Sequence, residues 1–206
     1  MSNYLAIATV TVALRDILQD VALTAVPGAV VTTQRPEDIN NAGQDKAGIN
    51  LYLYQVTPNP DWTNNDLPMR DAMGRLLQRP QTALDLDYLL SFHGAELEMV
   101  PQRLLGSTIV HLHTQPFLPL VAIQDTIQHT SYLAQSDLFD QGERVKFSPL
   151  NFSLEELSKL WSVFFQIPYR LSVAYRASVV LLEEQEQIPE TRLVTRPVIT
   201  LNPEVS

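Results

Sequence analysis

Apolar residues recur at three- and four-residue steps through Ala6, Val10, Ala13, Leu14, Ile17, Leu18 and Val21, which predicts an amphipathic helix over residues 3–21. Alternation takes over further along. In Leu84-Asp85-Leu86-Asp87-Tyr88 the apolar residues fall on one face and the two acids on the other. That is the pattern of a half-buried strand, its acidic face solvated or turned to an interface. Residues 49–56, Ile-Asn-Leu-Tyr-Leu-Tyr-Gln-Val, leave little polar face and predict a strand central in a sheet covered on both sides. A long strand is expected over 169–183, where Leu171, Val173, Tyr175, Ala177, Val179 and Leu181 alternate with Arg170, Ser172, Ala174, Arg176, Ser178 and Val180. Short strands are expected at Val30–Thr33 and Glu143–Phe147.

Between the strands the pattern returns to helical spacing. Pro101 suits a first helical turn, and Leu104, Leu105, Ile109 and Leu112 mark a helix ending before Pro116. A second helix runs from Pro119 to about Thr130, and Ser153 with Glu156 has the spacing of a capping box opening a third, which ends before Pro168. Residues 58–68 hold three prolines and predict a long loop without regular structure. Trp62 sits on that loop, either as a partner anchor or as a lid folded over the core. The fold class that follows is α/β (α+β): one domain over residues 1–183, with a mixed central sheet flanked by helices, and an extended C-terminal arm over 184–206. The arm begins charged and then becomes β-prone from Thr191 to Leu201, with Pro197 limiting it to an edge position. A strand placed after a complete domain needs an edge to pair with. Leu193, Val194, Val198 and Ile199 on the arm, with Asn59, Pro60 and Trp62 on the loop, are therefore the residues expected to touch a partner.

Charge narrows the partners. The 206 residues carry a formal net charge of -9 with 14 basic residues, and the three lysines, Lys46, Lys146 and Lys159, are scattered, which argues against nucleic acid. No apolar run approaches the roughly 20 residues that span a bilayer, and the N-terminal residues lack a secretory pattern, so no membrane insertion and a cytoplasmic site of assembly are expected. Absence of cysteine removes disulfides and thiolate metal sites. His111 and His113, two apart, point about 200° from each other on a helix and cannot share a metal there, whereas at a strand end they could. His93 and His129 stand alone and read as polar surface or capping residues. Ser91, Ser107, Ser131 and Ser148 have no nucleophile motif around them, and residues 42–48, Ala-Gly-Gln-Asp-Lys-Ala-Gly, have the wrong order for a phosphate loop. Catalytic residues, metal and cofactor are all expected to be absent.

Four segments together carry a resemblance. They are residues 48–54 followed by Pro58-Asn59-Pro60; residues 84–90; Leu104-Leu105-Gly106 with Leu112-His113 and Pro116; and Leu160-Trp161 followed by residues 168–175. In that order the chain resembles, over about residues 3–183, the N-terminal domain of the cap, or tail-terminator, proteins of contractile injection systems, the phage-tail-like particles. The resemblance implies a non-enzymatic structural role: a homo-hexameric ring closing the distal end of the inner tube and outer sheath, with tube and sheath proteins as partners. Many such proteins carry further C-terminal domains, and functions housed there are not expected in this chain. It further implies that the arm is of the kind exchanged between subunits. The competing expectations are a free-standing adaptor binding peptides by strand addition and, behind it, an uncharacterised hydrolase.

Overall fold

The computed structural model describes residues 2–36, 46–65, 69–70, 76–78, 81–164 and 167–183. Helix α1 (Ala6–Ala25) buries Val10, Ala13, Leu14, Leu18 and Ala22, the stripe that its three- and four-residue spacing marks out. It begins just after Asn3, whose side-chain oxygen accepts the Leu5 N–H at 3.0 Å. It ends at the Pro27-Gly28 turn, where Gly28 takes a φ of 82°. Strand β1 (Val30–Thr32) follows, then β2 (Gly48–Pro58), a two-stranded ribbon of β3 (Met69–Arg70) and β4 (Leu76–Gln78), and β5 (Gln81–His93). Helices α2 (Val100–Thr114) and α3 (Leu120–His129) precede β6 (Lys146–Leu150), α4 (Leu154–Ser162) and β7 (Ser172–Glu183).

The main sheet has the order β1-β2-β5-β7-β6, with β1 parallel to β2 and the other pairs antiparallel. It is the expected mixed sheet, and β5 sits at its centre between the two other long strands. Helices α1 and α2 pack on one face, where Leu86, Tyr88, Leu90 and Phe92 of β5 meet Leu14, Leu18, Leu104 and Leu112. The opposite face carries a smaller aromatic core: Leu89 with Trp161 and Phe164 of the α4 region, and Tyr52, Tyr54, Leu157 and Leu160 around them. Helix α4 starts where expected, with the Ser153 hydroxyl accepting the Glu156 N–H and the Glu156 carboxylate accepting the Ser153 N–H.

Two local predictions need correction. Residues 58–68 are not without regular structure, since β2 runs through Pro58 and Pro60–Asn65 form a short 3-10 helix. Proline fits the first turn of such a helix because no N–H is needed there. The strict alternation expected along β7 also breaks. Opposite β5 the pairing steps from Leu84↔Val180 to Leu86↔Ala177, so Ser178 and Val179 together face Asp85. Val179 adopts a φ of 65°, a left-handed conformation that a β-branched residue takes only under constraint. The bulge moves Val180 and Leu182, rather than Val179 and Leu181, onto the main core beside Tyr175 and Ala177.

A buried amide holds the bulge. Gln141 Nε2 donates to the Val179 carbonyl at 2.8 Å and to the Glu143 carbonyl at 2.7 Å, while its Oε1 accepts the Leu181 N–H at 3.0 Å. Its side chain thus pairs with β7 beyond the end of β6 as a strand would, and next to it the Ser2 carbonyl accepts the Glu183 N–H at 2.8 Å. At the other rim Gln19 does the same for β1, donating to the Ala29 carbonyl and accepting the Val31 N–H at 2.8 Å. Replacing Gln141 by leucine leaves a buried donor and acceptor of β7 unpaired and is expected to lower stability by about 2–4 kcal/mol. Urea denaturation measures this, and a change below about 1 kcal/mol would show that the amide is dispensable.

Candidate functional site

The acids of β5 are the first surprise of the second sheet face. Asp85 and Asp87 are each 3% exposed, so their expected solvated surface is overturned. Arg176, on the neighbouring β7, explains how they are accommodated: its Nε and Nη2 donate to the two Asp87 oxygens at 2.7 and 2.8 Å, and Nη1 lies 3.7 Å from Asp85 Oδ2. Asn59 Nδ2 donates to Asp85 Oδ1 at 2.8 Å. A buried carboxylate requires such partners, and a two-pronged guanidinium meets the need. The Asp87 hydrogen bond pushes the Arg176 pKa up, and burial with the nearby Asp87 charge pushes the Tyr54 hydroxyl up to about 12. These acids are structural ties.

What they tie down is the loop. Asn59 also donates its N–H to the Ala83 carbonyl and accepts the Asp61 N–H on its side-chain oxygen at 3.0 Å, so the 3-10 helix is fastened to β5 at its first residues. Of the partner-contact residues read from sequence, Asn59 is buried with its amide turned inward, Pro60 is exposed and Trp62 is half-buried. Leu193, Val194, Val198 and Ile199 lie outside the described residues.

The histidines are not brought together. His111 and His113 sit on α2, and His129 Nδ1 reaches the Asp125 carbonyl at 2.8 Å in the last turn of α3, a capping contact. His93 departs from the expected surface position: its Nδ1 is buried with no hydrogen-bond partner among the described residues. Gly48 is what lets it in, since a Cβ there would lie 2.8 Å from His93 Nε2. Burial, with the Arg170 charge, pulls its pKa down to about 4. The native state therefore holds His93 neutral while the unfolded chain protonates it near pH 6.5. Stability from this site is complete above pH 6.5 and is lost as pH falls towards 4, by about 1–2 kcal/mol after allowance for solvent screening. His93→Gln is expected to flatten that part of the stability-versus-pH curve, and an unchanged slope between pH 6.5 and 4 would contradict the assignment. No group of three or more metal-ligating side chains occurs among the described residues, and none of their helices is long and apolar enough to cross a membrane.

A concave feature lies between α2 and the edge strand β6. It is a groove of about 520 Å³ lined by Ile109, Leu112, His113, Phe147, Leu150 and Tyr175, among others. The start of β6 is covered: Phe147 N–H donates to the Pro116 carbonyl at 2.6 Å and Leu118 N–H to the Val145 carbonyl at 2.9 Å. From Ser148 to Leu150 no described strand lies on the outer side. Sequence reasoning missed this groove and the amide side chains at the sheet rims. A signal existed for Arg176, which stands among small residues on the polar side of its strand and matches the paired acids of β5. None existed for Gln19 or Gln141, whose partners are backbone atoms and, for Gln141, the distant Ser2 hydroxyl.

Two structures determined by cryo-electron microscopy share this fold. The sheath/tube terminator of an extracellular contractile injection system (PVC), in its extended state, superposes with a TM-score of 0.59 at 17% identity, over 97% of this chain and 64% of that one. The tube terminating cap of the anti-feeding prophage gives a TM-score of 0.53 at 17% identity, over 93% of this chain and 60% of that one. This chain thus spans less than two thirds of the length of either. No curated protein matches it. The model of the Pvc16 N-terminal domain family matches residues 9–196, nearly the whole sequence, and the chain belongs to that family.

Proposed function

We propose that this chain is a structural terminator of a contractile injection particle, forming a hexameric ring that closes the distal end of the inner tube and sheath. The observation that carries the reading is the fold shared with a sheath/tube terminator along 97% of the chain, together with its family. The site agrees in kind: charged side chains on the second sheet face fasten a loop and gather into no reaction centre. The sheath and tube proteins are its partners in this reading, Pro60 and Trp62 lie on a contact surface, and assembly takes place in the cytoplasm. No step of catalysis is assigned to it.

Deleting the gene and measuring particles by electron microscopy tests this. Tubes and sheaths of scattered length with open distal ends are expected. Gold-labelled protein should sit at the distal tip. Particles of normal length without the chain, or label along the sheath or at the baseplate, would overturn the terminator role. Label found only on free monomers would favour the adaptor alternative.

A further inference from the structure

We infer that the turn Glu96–Met99 of one chain docks into the groove between α2 and β6 of a second copy, with Leu97 entering the apolar groove and Glu96 and Glu98 meeting its basic rim. The inference rests on the ring reading above and names a contact that would close the ring. Leu97 is 99% exposed, more than any other large apolar side chain among the described residues, and Met99 beside it is also exposed. A single exposed leucine needs no explanation. This one is held out on a fixed support. The Ala95 carbonyl accepts the N–H groups of Glu98 and Val100 at 3.2 Å, the Glu96 carbonyl accepts that of Met99 at 3.0 Å, and a Cβ on Gly94 would collide with Val100. Met99 takes a φ of 52°, a left-handed conformation uncommon outside glycine and held here by its surroundings. A knob already fixed in shape gives up little conformational freedom on docking.

The groove is the complement of this knob in shape and in charge. Ile109, Leu112, Phe147 and Val173 give it apolar walls, and no carboxylate lines it. Lys146 does line it, and Arg144 stands close by, its guanidinium 4.9 Å from the ring centre of Phe117, the residue that bridges to Lys146. Neither cation has an ion-pair partner among the described residues. On a chain of net charge -9, such a place selects an apolar side chain flanked by acids. The two halves of the contact lie on opposite flanks of the molecule. Gly94, at the root of the turn, lies beside Ala47, whose carbonyl accepts the Val30 N–H on the β1 side, whereas the groove borders β6 at the other end of the sheet. Along α2, Val100 and Ile109 are about 14 Å apart at the helical rise, so the turn cannot fill the groove of its own chain. A knob on one flank and its hole on the other make a head-to-tail contact, the kind that repeats around a ring. Side chains make the contact, and it needs no strand edge.

The test uses the absence of native cysteine. Full-length chains carrying Leu97→Cys alone and Ile109→Cys alone, the second at a groove position that is 42% exposed, are joined with a short bis-maleimide, separately and mixed. Cross-links between unlike chains are expected well above those of either variant with itself. In parallel, self-association of the full chain is followed by sedimentation equilibrium. Leu97→Asp, at a position outside the core, should leave the melting temperature unchanged and weaken association about tenfold or more. Glu96→Lys/Glu98→Lys and Arg144→Glu/Lys146→Glu should each weaken it, and all four changes in one chain should restore it, because the charges are exchanged across the contact. Association unaffected by Leu97→Asp would overturn the inference. So would charge reversals that fail to rescue each other, cross-links no more frequent between unlike chains than like ones, or no association at all. Labelling of particle ends is scored separately: Leu97→Asp chains at the distal tip of particles of normal length overturn the contact and leave the terminator reading standing, whereas unmodified chains missing from the tip remove that reading itself.

Discussion

Arg176→Met lowers the stability of the folded chain by about 3 kcal/mol, because it strands two carboxylates in a protein interior with a single amide between them. The figure is the low end for breaking a buried ion pair, since the guanidinium itself is 35% exposed and partly screened. In a domain of this size it corresponds to a fall in melting temperature of roughly 6–12 °C. Replacing both acids as well, in Asp85→Asn/Asp87→Asn/Arg176→Met, should recover much of the loss, because the cost comes from the unpaired charges. Calorimetry on the single and triple variants decides it. A single variant within about 1 kcal/mol of the unmodified chain would mean that water reaches the acids and serves them as well as arginine does.

Trp161→Ala should act differently, on a part of the molecule rather than on the whole. Trp161 is the one residue of α4 buried against the sheet, with Phe164 and Tyr169 edge-on around it and its Nε1 donating to the Ser172 hydroxyl at 3.1 Å. Truncation to alanine removes about 3–5 kcal/mol of packing. The loss falls on a small second core that holds α4 alone, so amide exchange over residues 154–162 is expected to accelerate by roughly a hundredfold or more while β5 amides change much less. Equal acceleration in α4 and β5 would show that the two cores unfold as one.

The contrast between these cores also explains what could be read from the residues. The main core was legible because α1 and β5 each have one greasy face, and spacing alone identifies which. The Ser153–Glu156 cap was legible because both partners lie within four residues. The burial of Asp85 and Asp87 was not, because alternation says which side a residue faces and nothing about what covers that side. Here the partners are Arg176, 89 residues from Asp87, and Asn59, 26 residues from Asp85. The Gln141 amide was invisible for a related reason: apart from the Ser2 hydroxyl, 139 residues away, its ligands are main-chain atoms, which every residue possesses.

The bulge at Val179 means that β7 is read in two frames. Up to Ala177 the odd-numbered residues belong to the main core; beyond it the even-numbered ones do. A substitution at Val179 can relieve its backbone strain but cannot change the frame. Deleting that one residue does both: Val180 and Leu182 keep their facing by simple alternation from Ala177, and the left-handed residue is gone. For most strands a single deletion exchanges inside for outside along the rest of the element. Along β7 it would restore an uninterrupted pattern, so lengths differing by one residue at this point are compatible with the same apolar core, and what such a change must make good is the carbonyl that the buried Gln141 amide bonds.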